Sequence, residues 1–462
     1  RTLLILYAII TRAVVFLLQL VFSSFDFSTD AFKGPQEREG WVGRMFRGFS
    51  RWDSLQFLHI AKYGYTYEHS LAFFPFFPTV IRTGSSLLST VSTGVIVSPD
   101  SIVIAAVLLN FVTFIISSIL IYDISFTITS SVKISLISFF LFSINPASIF
   151  FSSIYTESVY CCLTLLGIRL LLSSRSSVLT LPLTTLLFSC SLLTRSNGLL
   201  NIGYIVFYDG LRLFGPRRDR LWDRNIGVQM FKIGAYLIRI GTAIVIIVLT
   251  LRVHSIRQRI RFCSETPKYL PQSIVEFGQE QNLKIVGTHV PWCSETSLVY
   301  PSFYSSIQDR FWDVSCFGYW KIQKIPCFLL AIPSLFFTFY CASRVINRLM
   351  HNGLEWLMNS HGDSLPFAIH SITLAIPALL IYNVEVFTRI VFSSSPFLYI
   401  ELARIIHERT PNVASEDLGK PRMFPFLPYL LYRRDICCLI STYFFLYYSL
   451  GTAMHSSFLP FT

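Results

Sequence analysis

The sequence predicts an all-α, polytopic membrane protein, and three observations carry that prediction. Of 462 residues, 53% are hydrophobic and only 14% charged, where a soluble domain carries about 25% charged residues. The mean hydropathy is +0.55. The apolar residues fall in separate blocks along the whole chain, at or near the length of about 20 residues that a helix needs to cross a bilayer. A chain this long has room for several soluble domains, but the even spread of those blocks favours one membrane-embedded domain over 1–462.

Taken in order, the candidate spans are 3–22, 101–122, 134–152, 157–173, 178–193, 198–214, 231–251, 327–346, 366–387, 392–407 and 436–454, about eleven. No small-residue cleavage site follows the first, so it reads as an anchor rather than a removed leader. Asn145-Pro146 should end a helix, because proline removes a donor and strains the residue before it. The fifth block is short, and the tenth is interrupted by Glu401 and Arg404, as a re-entrant segment would be.

Basic residues crowd 212–232 and 404–435. The Lys/Arg bias of short loops puts such segments in the cytosol. Counting outward from either places the N-terminus in the cytosol and two large loops, 23–100 and 252–326, in the lumen, each with short interfacial helices. The second loop opens with Arg252, Arg257, Arg259 and Arg261, which strains this count, although long loops translocate largely regardless of charge. The net charge of +12 therefore reports topology and gives no reason to expect a nucleic acid partner. Ten cysteines include no CxxC pair, so no zinc or redox motif is read. Two of Cys263, Cys293 and Cys316 could pair in an oxidising lumen. No internal repeat of the transporter kind is seen.

Chemistry is most legible at Trp52-Asp53, a carboxylate just outside the first span and beside the run Ala72–Pro78. A carboxylate in hydrogen-bond reach can take the proton of a sugar hydroxyl as that oxygen attacks. Asp53-Ser54-Leu55-Gln56 equally fits a helix capping box with Gln56 at its third position. A departing phosphate needs a metal or fixed cations. No Asp-x-Asp, GxGxxG or Walker loop is present, so fixed cations are expected and no metal or other cofactor. Arg195, at a span end in Thr194–Gly198, and Arg12, inside the first span, are the leading candidates. The bland alternatives for both are snorkelling or hydrogen bonding between helices. His69 and Arg389 are further phosphate candidates, against a solvated surface for the Glu68-His69 pair. Glu157 opens a span and could simply complement its helix dipole. Trp52, Gln56, Glu68, Phe74, Phe77, Glu157, Trp292, Asp309 and Trp312 are candidate acceptor or lipid contacts. For the tryptophans, interfacial anchoring is the default.

Trp52–Pro78, Asn145–Glu157, Thr194–Gly198, Pro291–Cys293 with Tyr300–Val314, Lys324–Pro333, Thr388–Pro396 and Phe458-Leu459-Pro460 resemble, in the same order, blocks of the GPI mannosyltransferase 2 family. That resemblance implies a C-type glycosyltransferase fold in the endoplasmic reticulum membrane, with the active site on the luminal side. It implies dolichyl-phosphate mannose as donor and a mono-mannosylated GPI precursor as acceptor. The second mannose would be added in α-1,6 linkage with inversion, and Asp53 would be the base. It further implies no metal, contact with membrane lipids, and room for the accessory membrane subunit that some members use. Sister enzymes acting on N-glycan precursors or protein hydroxyls, and a polytopic lipid transporter, are the rival readings. The segment 409–434 matches the family poorly.

Overall fold

The computed structural model describes residues 1–25, 27, 40–92, 100–173, 179–214, 226–264, 270–294, 302–359, 362–410 and 434–461. Much of the two basic segments (215–225 and 411–433) and Tyr300 lie outside them. Helix α1, Thr2–Phe22, buries Ala8, Thr11, Arg12, Val15 and Gln19, a stripe at three- and four-residue spacing. Leu3, Leu6, Leu17 and Val21 face outward. An apolar outer face is what a helix in lipid shows. The same pattern recurs on α5 (Asp100–Thr129), α10 (Ile226–Ser264), α13 (Ile325–Asn359) and α17 (Ile436–Ser456).

These five include all the described helices long and apolar enough to cross a membrane. The protein is therefore multi-pass. The other expected spans each contain a helix, but a shorter one: α6 (Val132–Ser143), α7 (Glu157–Leu171), α8 (Thr180–Thr194), α9 (Ile202–Phe214), α14 (Leu365–Leu380) and α16 (Phe397–Arg409). A count of eleven crossings is thus not established by helix length. The third block shows why it falls short. Helix α6 stops just before Asn145-Pro146, and 144–156 runs as turns up to α7. Glu401 and Arg404 do not break α16. Glu401 is buried and Arg404 partly buried, in an alternating ion-pair group with Arg348 and Asp363.

Helix α1 packs on α17 and α5; α5 on α6 and α7; α7 on α8; and α6 on α16. Outside this bundle the two large loops fold together into one lobe. It holds α2 (Trp41–Met45), α3 (Asp53–Tyr63), α4 (Phe76–Val91), α11 (Gln272–Glu280) and α12 (Ser302–Trp312), along with the end of α10. Leu71 of the first loop shares a small core with Phe262, Val290, Trp292, Phe303 and Ile307 of the second. Cys263 and Cys293 form a disulfide, while Cys316 is free and exposed. A short α15, Phe387–Ser394, returns to the bundle beneath the lobe.

Candidate functional site

Trp52 has φ 54°, a conformation costly for a bulky side chain. Its indole lies 4.8 Å from the ring of Phe458, which also has a positive φ, 64°. The bend at Trp52 starts α3 at Asp53, whose backbone N–H donates to the Tyr155 hydroxyl at 3.2 Å. Asp53 is thus the first helical residue, not the cap, and the capping box does not form. Gln56 accepts instead from His69, Nε2 to Oε1, 3.0 Å.

The Asp53 carboxylate takes a hydrogen bond from Arg389 Nη1 at its Oδ2, 2.9 Å away. Its Oδ1 accepts none from the described residues, and the side chain is 31% exposed. Arg389 Nε lies 3.7 Å from Glu157 Oε1, and that oxygen also pairs with Arg195 Nη1. Glu157 is 1% exposed. Two carboxylates and two guanidiniums therefore alternate in one row: Asp53, Arg389, Glu157, Arg195. The Arg389 guanidinium also faces the rings of Phe150 and Tyr155, at 5.4 and 5.6 Å, a favourable cation–π position.

Local structure sets this row. Arg195 leaves the end of α8 in an extended conformation, and the chain then folds back along that helix. A Cβ at Gly198 would come within 2.6 Å of Leu192 backbone atoms, so only glycine lets the turn close. Asn197 then donates to Ser394 Oγ on α15 at 2.8 Å. The irregular stretch before Glu157 is pinned from two helices. Asn110 donates to the carbonyls of Ser153 and Tyr155. Arg12 donates to the carbonyls of Ser143 and Ser148 and to the hydroxyls of Ser148 and Ser152, at 2.8–3.1 Å.

Arg12 is therefore committed to loop carbonyls and to the face of Phe114, 3.9 Å away, rather than held in reserve for a phosphate. His69 does not serve as a fixed cation either: burial lowers its pKa to about 4, which leaves the ring neutral at neutral pH. Glu68 is buried between Trp292 Nε1 and Arg310 Nη1, each 2.8 Å away. That contact fastens the two loops to each other and leaves neither Glu68 nor Trp292 open as a substrate contact. Phe77 is fully buried against Phe57, and Phe74 packs on His254 and Tyr304. Trp312 packs edge-on to Phe73. Asp309 stands exposed on α12, and no contact among the described residues links it to Asp53. Tyr155 belongs to the site and was not a sequence candidate; its place between Ser153 and Glu157 was the available signal. Among the described residues no three His, Cys, Asp or Glu side chains group as metal ligands would.

The fold and this row define a multi-pass membrane protein with a half-open carboxylate set beside paired guanidiniums. The sequence profile of the Mannosyltransferase (PIG-V) family matches residues 1–462, and the chain belongs to that family. It is 31% identical to GPI mannosyltransferase pigv-1 of Caenorhabditis elegans, over 91% of this chain and 73% of that one. It is 26% identical to human GPI alpha-1,6-mannosyltransferase 2, over 99% and 97%, and 29% identical to GPI mannosyltransferase 2 of Drosophila melanogaster, over 85% and 88%. Among solved structures, the oligosaccharyltransferase AglB of Archaeoglobus fulgidus superposes with TM-score 0.47 at 11% identity, covering 99% of this chain. The chain spans 56% of that protein.

Proposed function

We infer that this mannosyltransferase adds the second mannose, in α-1,6 linkage, to a mono-mannosylated GPI precursor, and that dolichyl-phosphate mannose is the donor. The names of its relatives support the acceptor and linkage. Asp53 carries the mechanism: Arg389 holds one carboxylate oxygen, while the other has no partner among the described residues and is open to substrate. That oxygen takes the proton of the acceptor 6-hydroxyl. The hydroxyl oxygen attacks the anomeric carbon as the bond to the donor phosphate breaks, and the bonding pair leaves on the phosphate oxygen. A β-linked donor gives an α product by this single displacement. Arg389, backed by Glu157 and Arg195, offers the fixed positive charge that a leaving phosphate needs. No metal enters this scheme.

The setting is a single domain over 1–462 with a C-type glycosyltransferase fold in the endoplasmic reticulum membrane. Loops 23–100 and 252–326 lie in the lumen and bring Asp53 to lipid-borne substrates. The Cys263–Cys293 bond supports that side, because disulfides persist in oxidising compartments. An accessory membrane subunit is compatible with this arrangement. The test is mannose transfer by purified protein from dolichyl-phosphate mannose to a mono-mannosyl GPI, with chelator present. Wild type should give the α-1,6 dimannosyl product, and Asp53→Asn should lose about 10²-fold or more. Full activity in a folded D53N protein would sink the base assignment. No product from intact wild type, alone or with membrane extract, would sink the acceptor.

A further inference from the structure

Gln56 lies three residues after Asp53 on α3, and side chains at that spacing are neighbours on one helical face. Its Oε1 is 3.0 Å from His69 Nε2. The other ring nitrogen of His69, Nδ1, is buried without a hydrogen-bond partner. The ring stacks on Tyr67 at 5.7 Å and meets Phe311 at 5.6 Å. An orphaned buried N–H is rarer in proteins than an unfilled lone pair. The proton of the neutral ring therefore sits on Nε2 and is donated to Gln56 Oε1. The amide cannot flip without losing that bond. Its two N–H groups are consequently turned away from His69, and among the described residues they donate to nothing.

We propose that Gln56 is an acceptor-specificity residue whose amide N–H, oriented by His69, donates to the acceptor sugar hydroxyl nearest the one that Asp53 deprotonates. This rests on the function inferred above. The attacking hydroxyl is on carbon 6, which is attached to carbon 5, and carbon 5 adjoins carbon 4 and the ring oxygen. Of these neighbours only the 4-hydroxyl is a strong acceptor, so it is the group Gln56 holds. His69 acts as a positioning residue, and Asp53 alone moves the proton.

The test compares a mono-mannosyl GPI acceptor with its 4-deoxymannosyl analogue, using wild type, Gln56→Leu and Gln56→Met. Wild type should prefer the natural acceptor in kcat/KM by about 2- to 13-fold, the worth of one neutral hydrogen bond. Both variants should lose that preference through a raised KM for the natural acceptor, with the donor KM unchanged. Q56M keeps the length and unbranched shape of the side chain without its N–H donors, so it answers for any folding defect in Q56L. His69→Phe should narrow the preference without abolishing transfer. Preference kept intact in Q56L and Q56M, or a fall in kcat alone, would overturn the proposal. Absence of transfer by wild type to either acceptor would overturn the parent reading and this one with it.

Discussion

Arg389→Gln tests the charged row at its most connected member. In the folded protein Arg389 sits 2.9 Å from the Asp53 carboxylate and 3.7 Å from Glu157. A unit charge pair at 2.9 Å interacts by about 6 kcal/mol at an effective dielectric of 20 and by about 1.4 kcal/mol in bulk water. Asp53 is 31% exposed, which pulls the value toward the lower half of that range, roughly 2–3 kcal/mol. Glu157 keeps Arg195 in the variant, so the loss falls mainly on Asp53 and on a phosphate approaching it. Expressed in transition-state stabilisation, that is about 30- to 150-fold in kcat/KM. Arg389→Lys should fall between, because an ammonium restores the charge but not the guanidinium fork. The assay is initial-rate transfer at varied donor, alongside a thermal melt. R389Q within threefold of wild-type kcat/KM, in a protein melting normally, would refute the idea that this guanidinium works on the reacting groups.

Two further outcomes follow from the lobe. Removing the Cys263–Cys293 bridge, which closes 30 residues, should destabilise the lobe by about 3–4 kcal/mol on the loop-entropy model. Cys293→Ser should therefore expose it to proteolysis, and cleavage rates equal to wild type would count against this. The lowered pKa of His69 means that the fold favours its neutral ring. The associated stability is complete above about pH 6.5 and is lost as pH falls from there toward 4. The melting temperature of wild type should drop across that window more steeply than that of His69→Phe, and parallel profiles would remove His69 as a source of acid sensitivity.

What the sequence disclosed and withheld divides along physical lines. Trp52-Asp53 was legible because a carboxylate beside an apolar run is unusual wherever it occurs. Arg12 was legible as an intramembrane cation, but its partners were not, since they are backbone carbonyls that only an irregular stretch leaves unfilled. Arg389 ranked among the weaker candidates, although it touches Asp53 directly. The two are 336 residues apart, and no local pattern encodes such a pairing. Glu68 and Trp292 illustrate the same limit from the other side: residue types suited to binding a sugar are used to join two loops. The apolar blocks located every long helix of the bundle among the described residues. They did not give its crossings, because helix ends such as that at Asn145-Pro146 fall inside a block.

The distance in sequence between Asp53 and Arg389 is also a distance in time. At a synthesis rate of 5–20 residues per second, the sequence separation of 336 residues takes roughly 20 seconds to a minute to make. Throughout that interval Asp53 lacks the Arg389 partner that it has in the folded protein. When α15 emerges, its arginine meets two carboxylates already delivered by earlier parts of the chain. The order of birth thus gives a charged residue entering late among apolar neighbours a prepared destination, and makes completion of this charged row one of the last events of biogenesis.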